Sequence, residues 1–205
     1  MFIEVIDQLR CVTPHEDSWL VATFLERDGR FIIEGALGCP ICQREYRIHN
    51  GVAYFGNDVA SQAAPSDDAP DPDPMAAAAF LDAAEGVTIV LGGTWATTAS
   101  AIVDMLPMRA FTMNAPQSVS ETEHIIPLHS TEGIPLAPHS VRGIALDNAN
   151  ATEANITTAS KVLTPRGRLV VPAHIPVPTD MSELARDEHY WVAEKREALI
   201  PLRRA

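Results

Sequence analysis

Two of the three cysteines in this chain stand as Cys39-Pro-Ile-Cys42. Thiolates at that spacing converge on one ion from a tight turn, and Pro40 helps to set the turn. Cys11-Val-Thr-Pro-His15 supplies a second pair. Three sulfurs and one imidazole nitrogen make a tetrahedral ligand set that zinc favours. An odd cysteine count in a chain expected to be cytoplasmic argues against disulfides. Two other readings of Cys39 and Cys42 are a buried pair of small hydrophobes and a redox dithiol. A redox motif is expected to follow a strand and open a helix, whereas this one lies between short strands. The spacing therefore predicts a closed, structural zinc site built from Cys11, His15, Cys39 and Cys42. His15 is its weakest member, and Asp17 or His49 is the substitute should it fail.

Around these ligands the text is β-like. Trp19 to Leu25 and Phe31 to Leu37 are apolar-rich runs joined through Arg27-Asp-Gly-Arg30, and Tyr46 to Ile48 and Val52 to Phe55 bracket Asn50-Gly51. Asp-Gly and Asn-Gly are strong hairpin signals, so residues 1–55 read as a small antiparallel module. Residues 56–74 are rich in Pro, Asp, Ala and Ser and hold no Lys or Arg. Such a stretch cannot bury enough apolar surface to offset its ordering entropy, which predicts an extended acidic linker.

Beyond the linker, residues 75–205 alternate between helix and strand patterns. Helices are predicted over Ala76 to Ala84, over Thr97 to Leu106 with Ala99, Ile102, Val103 and Leu106 on one face, and over Asn150 to Leu163. Strands are predicted over Val87 to Leu91, Arg109 to Met113, Ile125 to Leu128, Val141 to Asp147 and Arg168 to Pro172, with a break at Leu163-Thr-Pro-Arg-Gly167. Tyr190 to Glu194 and Ala198 to Leu202 read as a terminal antiparallel pair. The alternation predicts an α/β fold, a Rossmann-like doubly wound sheet with helices on both faces, following the N-terminal ribbon.

Charge narrows the function classes. The formal net charge is -12, and gripping a phosphate backbone relies on clustered Lys and Arg, so direct nucleic-acid binding is not expected and a basic partner, or none, fits better. No basic start followed by an apolar core opens the chain, and no apolar stretch is long enough to span a bilayer, which places it in the cytoplasm. Asn150-Ala-Thr152 and Asn155-Ile-Thr157 match the glycosylation pattern, which has no meaning without export. His124, His129, His139, His174 and His189 show no metal or triad spacing, and no Gly-x-Ser-x-Gly elbow, Walker loop or His-Glu-x-x-His occurs.

The run Cys39-Pro-Ile-Cys42-Gln-Arg-Glu-Tyr46-Arg-Ile48-His-Asn-Gly51-Val52-Ala-Tyr-Phe55 resembles the zinc-ribbon proteins related to Trm112. Members of that family are activating partners of methyltransferases, so the resemblance implies zinc and a protein partner. His15 departs from the more usual cysteine, a change zinc tolerates.

The rest of the chain resembles the core of a class I S-adenosylmethionine-dependent methyltransferase. The resemblance lies in Pro127 to Asp147, which has the cadence of the segment entering the family's fourth strand, and in Ser160 to Val171, which matches its helix, turn and fifth strand. It implies that the first strand runs into a Gly-rich turn that approaches the nucleotide, and that an acidic residue ending the second strand takes the ribose hydroxyls. Here the turn is Val87-Thr-Ile-Val-Leu91-Gly92-Gly93-Thr94-Trp95-Ala96. Val90 stands at the family's acidic position, Trp95 and Ala96 replace small or glycine residues, and the second strand ends in Met113-Asn114. The candidate cofactor residues are Gly92, Gly93, Asn114 and Asp147, with S-adenosylmethionine as the cofactor the resemblance implies. Asp147 and Asn148 are candidates for substrate contact; an Asx cap on the following helix, from Asn148 or Asn150, explains them equally well. The indole of Trp95 is expected either to block the cofactor or to stack on it. The Asn-Pro-Pro-Tyr tetrad of some amine methyltransferases is absent. Two readings follow: a scaffold or partner-binding protein whose methyltransferase-like domain has lost its cofactor, and an active methyltransferase with its own ribbon, similar in arrangement to some ribosomal-RNA guanine methyltransferases.

Overall fold

The computed structural model describes residues 1–56, 72–116 and 118–197. Both hairpin signals close as expected. Strands β1 (Val21–Asp28) and β2 (Phe31–Gly38) pair antiparallel, as do β3 (Glu45–His49) and β4 (Val52–Phe55), and β2 also pairs with β3. The turns use the left-handed region that Asp-Gly and Asn-Gly tolerate, with φ of 54° at Gly29, 49° at Asn50 and 78° at Gly51. Residues Ile3–Gln8, to which the sequence assigns no element, form a 3-10 helix.

After the segment 57–71, which lies outside the described residues, α1 (Pro74–Phe80) begins with Asp73 accepting from the Ala76 N–H at 2.9 Å and with proline in its first turn. It stops short of the expected Ala84, and Asp82 follows at φ 52°. Strand β5 (Thr88–Gly92) leads through a 3-10 turn at Gly93–Thr98 into α2 (Ala99–Met105), shorter at its start than the periodicity suggests. Then come β6 (Arg109–Met113), β7 (Ile125–Ser130), β8 (Val141–Leu146), α3 (Glu153–Val162), β9 (Leu163–Pro172), β10 (Met181–Arg186) and β11 (Tyr190–Lys195). The cap of α3 is Thr152, whose hydroxyl accepts from the Asn155 N–H at 3.2 Å; neither Asn148 nor Asn150 fills that role.

Two strand expectations need correction. Leu163-Thr-Pro-Arg-Gly167 is part of β9 rather than a break, because Leu163 already pairs with Val141 before a register irregularity passes the pairing on to Gly143 and Arg168. The antiparallel partner of β11 is β10, which carries too little apolar alternation to read as a strand; its burial runs from Met181 inside to exposed residues thereafter. The expected partner, Ala198 to Leu202, lies outside the described residues.

All the described strands join one sheet in the order β1-β2-β3-β4-β7-β6-β5-β8-β9-β11-β10. Strands β4, β7, β6, β5, β8 and β9 run parallel, so this part is a Rossmann-like α/β sheet. The N-terminal hairpins are continuous with it through the pairing of Ala53, Tyr54 and Phe55 with Leu128, His129 and Ser130. Helices cover both faces. On one, α1 and α2 pack Ala77, Leu81, Ala99 and Ile102 against Ile89, Leu91 and Ala110. On the other, Ala159 and Val162 of α3 share a core with Val90, Phe111 and Leu146, and with Leu37, Tyr46 and Phe55 of the hairpins. Consecutive strands β5, β6 and β7 build outward one way and β8 lies on the other side of β5, which makes the β5/β8 carboxyl edge the topological switch point. No described helix is long and apolar enough to cross a membrane.

Candidate functional site

Two places gather chemistry-bearing residues. At the first, the ligand atoms of Cys11, His15, Cys39 and Cys42 lie within 4.8 Å of one another. The knuckle turn is held by the Cys39 N–H donating to the Arg44 carbonyl and the Gln43 N–H donating to the Cys39 carbonyl, both at 2.9 Å, with Gln43 at φ 59°. Cys11 Sγ is 3.6 Å from Cys42 Sγ, and Cys39 Sγ is 3.3 Å from His15 Nε2. Zinc at bond lengths of about 2.3 Å to sulfur and 2.0 Å to nitrogen places tetrahedral ligands about 3.8 Å and 3.5 Å apart, so these four residues fit such an ion.

The surroundings orient the ligands. His15 Nδ1 lies 2.6 Å from the Glu16 carbonyl, a contact that puts the proton on Nδ1 and leaves Nε2 to face the sulfurs. The Tyr46 hydroxyl sits 3.0 Å from Cys11 Sγ and accepts from the Val12 N–H. Burial and then the neighbouring Cys11 push the Tyr46 phenol up to about 12, which keeps it a donor to the sulfur. Burial pushes the Cys11 thiol up, but hydrogen bonds from Tyr46, Thr13 and His15 outweigh that and bring it down to about 6. The Glu16 carbonyl, and next Cys11, raise the His15 imidazole to about 9. A divalent cation therefore displaces an imidazole proton on binding, and occupancy increases with pH. Neither substitute ligand joins the cluster: Asp17 pairs with Arg10, and His49 Nδ1 lies 2.7 Å from a Glu34 oxygen.

Arg44, next to the knuckle, makes two 2.6 Å hydrogen bonds to the Glu132 carboxylate in the β7–β8 loop. This fork ties the metal end of the hairpins to the parallel sheet. A cleft of about 550 Å³ opens beside the cluster, lined by Thr13, His15, Ile134, Leu136, Lys161 and Val162 among others.

The second place is the switch point. The fold brings Gly92, Gly93, Asn114 and Asp147 together at the carboxyl ends of β5, β6 and β8, where Asn150 links Asp147 to Asn114. Asp147, 5% exposed, accepts from the Thr94 N–H at 2.9 Å, the Asn150 N–H at 3.0 Å and Asn150 Nδ2 at 2.7 Å. Asn150 Oδ1 accepts in turn from Asn114 Nδ2 at 2.7 Å. Asn114, at φ 52°, also donates to the Ser130 carbonyl and accepts from the Ser130 N–H, linking β6 to β7. Asn155 Nδ2 donates to the Asn150 carbonyl at 2.8 Å and brings in α3. Gly93 adopts φ 62°, and a Cβ there would overlap the Asp147 carboxylate, while one on Gly92 would come within 2.8 Å of Leu146 Cδ2. Both glycines thus allow close approach of protein to protein.

Against a nucleotide cofactor, these residues fit poorly. Asp147 and Asn114 already spend their polar atoms on internal partners, and a ribose would have to displace them. Trp95 neither blocks such a cofactor nor stacks on one. It is 3% exposed in the core beneath α1 and α2, edge-on to Tyr190 with ring centroids 5.1 Å apart. Asn148 is exposed beside the network. Ser130 is the member that motif reading misses, and Asn150 enters that reading only as a helix-cap candidate. The asparagine density of Asp147-Asn148-Ala149-Asn150 was the available signal, but Asx residues before a helix are common as caps.

No protein-family model and no curated protein matches the sequence. Solved structures are similar over part of the chain. A geranyl diphosphate methyltransferase in complex with SAM shows 14% identity over 48% of this chain and 48% of its own, with a TM-score of 0.40. The [4+2]-cyclase SpnF shows 13% identity over 48% of this chain and 43% of its own, at 0.40. The yhhF protein of Escherichia coli shows 13% identity over 64% of this chain and 90% of its own, at 0.42. The chain spans about half of the first two. These similarities concern chain path alone and carry over no residue role.

Proposed function

We propose that this chain is a zinc-binding protein in which a Trm112-like ribbon, residues 1–55, is fused to a methyltransferase-like domain, residues 75–205, that has lost ordinary cofactor binding and serves as a rigid surface for a protein partner. The observation that supports this reading is the Asp147–Asn150–Asn114 network, which takes up polar atoms at the edge where a doubly wound fold takes its nucleotide. The ribbon's ligands leave no open coordination position for a reacting water, so the metal's role is structural. The excess of acidic residues suits a basic partner.

Calorimetric titration of the metal-loaded chain with S-adenosylmethionine tests the reading. No heat, or binding weaker than about 100 µM, is expected. Sub-micromolar affinity sinks it and restores the alternative, an active methyltransferase, which the position of Gly92, Gly93 and Asp147 at the switch point favours.

A further inference from the structure

The outer edge of β1 has no strand beside it among the described residues, and its first half, Val21 to Phe24, lacks the charges, prolines and bulges that normally guard an edge. From Ser18 to Leu25 the sequence holds no charge, no lysine and no proline. The charges of this strand, Glu26, Arg27 and Asp28, are confined to its last three positions, and its register irregularities to the stretch after Phe24. Val21, Thr23 and Leu25 alternate along the strand, and with Trp19 they form a row of exposed side chains. Trp19 is 70% exposed, Val21 62% and Leu25 81%. An unpaired apolar strand of this kind is a template for strand addition.

We propose that β1 pairs antiparallel with β1 of a second copy of this chain about a two-fold axis at Thr23. The strand is self-complementary in that register. Val21 comes opposite Leu25 of the partner subunit, Ala22 opposite Phe24 of the partner subunit, and Arg27 opposite Trp19 of the partner subunit. Glu26 and Asp28 face the uncharged Leu20 and Ser18 of the partner subunit, so no like charges stand directly opposite in the register. Residues of equal parity oppose each other, which keeps the two sheets continuous with their cores on matching faces. A single strand-edge contact is small, so the dimer forms and dissociates in solution. The inference does not depend on cofactor loss.

Sedimentation velocity on the full metal-loaded chain reads the result. A dimer is expected at about 100 µM and a monomer at about 1 µM. Leu25→Lys weakens association at least about tenfold, since the two-fold axis makes each substitution replace two apolar cross-strand contacts with Val21 of the partner subunit by a charge. Leu184→Lys, at an exposed leucine on the opposite edge strand, leaves association unchanged. Both sites are exposed, and unaltered circular dichroism and melting temperature verify the fold. Thr23→Cys sets two thiols face to face on the axis and gives a covalent dimer on mild oxidation, whereas Glu26→Cys does not. A chain that stays monomeric at the higher concentration overturns the proposal. So does a dimer indifferent to Leu25→Lys, a Thr23→Cys chain that does not cross-link, or an edge that takes only an unrelated strand-forming peptide.

Discussion

Replacing Gly93 by alanine separates an internal network from a ligand loop. The residue sits at φ 62°, where a side chain costs about 1–2 kcal/mol. Its new Cβ would overlap the Asp147 carboxylate, which must then swing away from Thr94 and Asn150. A hydrogen bond to a charged acceptor contributes about 1.5–3 kcal/mol, and losing at least one of the three brings the expected destabilisation to about 3–5 kcal/mol. In a chain of this size that lowers the melting temperature by about 10 °C. In an Asp147→Ala background the obstacle is gone, and the same substitution should cost only its backbone share of about 1–2 kcal/mol. Urea unfolding of the four proteins, without ligand, measures the coupling. If Gly93→Ala costs less than about 1 kcal/mol, or the same amount in both backgrounds, the glycine does not serve Asp147 and the reasoning fails.

Other consequences are as direct. Tyr46→Phe removes the donor to Cys11 and should weaken zinc binding about 10- to 100-fold in a chelator competition, while Cys39→Ser should abolish stoichiometric metal and lower the melting temperature. Glu132→Gln breaks the fork to Arg44 and should cost about 1 kcal/mol at neutral pH, since both groups are about a third exposed and partly screened. Arg44 holds the Glu132 carboxyl below its usual range, so this contribution is present above about pH 4.3 and fades as pH falls through the depressed value, where the variant and parent melting curves should converge. Burial lowers the His129 imidazole, so the unfolded chain takes its proton first. Stability should drop as pH falls below about 6.5, by at most about 1.4 kcal/mol per unit, and His129→Asn should flatten that slope between pH 7.5 and 5.5.

Features that depend on near neighbours were legible in the sequence alone. Asn50-Gly51 and Asp28-Gly29 specify their turns because few residues accept positive φ, and Cys39-Pro-Ile-Cys42 specifies a knuckle because a tight turn aims both sulfurs the same way. Strands β5, β6 and β8 were legible as well, because a strand buried on both faces reads as a short apolar run between turn residues. Strand β10 was illegible because one buried residue, Met181, gives no alternation, and the start of β9 was hidden because a proline signals a break unless a neighbour tolerates it. Whether His15 belongs to the cluster was decided by the tertiary structure, which puts Nδ1 on the Glu16 carbonyl and Nε2 toward Cys39. The same holds for the switch point. Gly92-Gly93, Asn114 and Asp147 look alike in sequence whether they hold a ligand or each other, because both need small residues and polar ends. Only the folding of distant strands onto one edge, with Asn150 between them, supplies the internal partners that take up their hydrogen bonds.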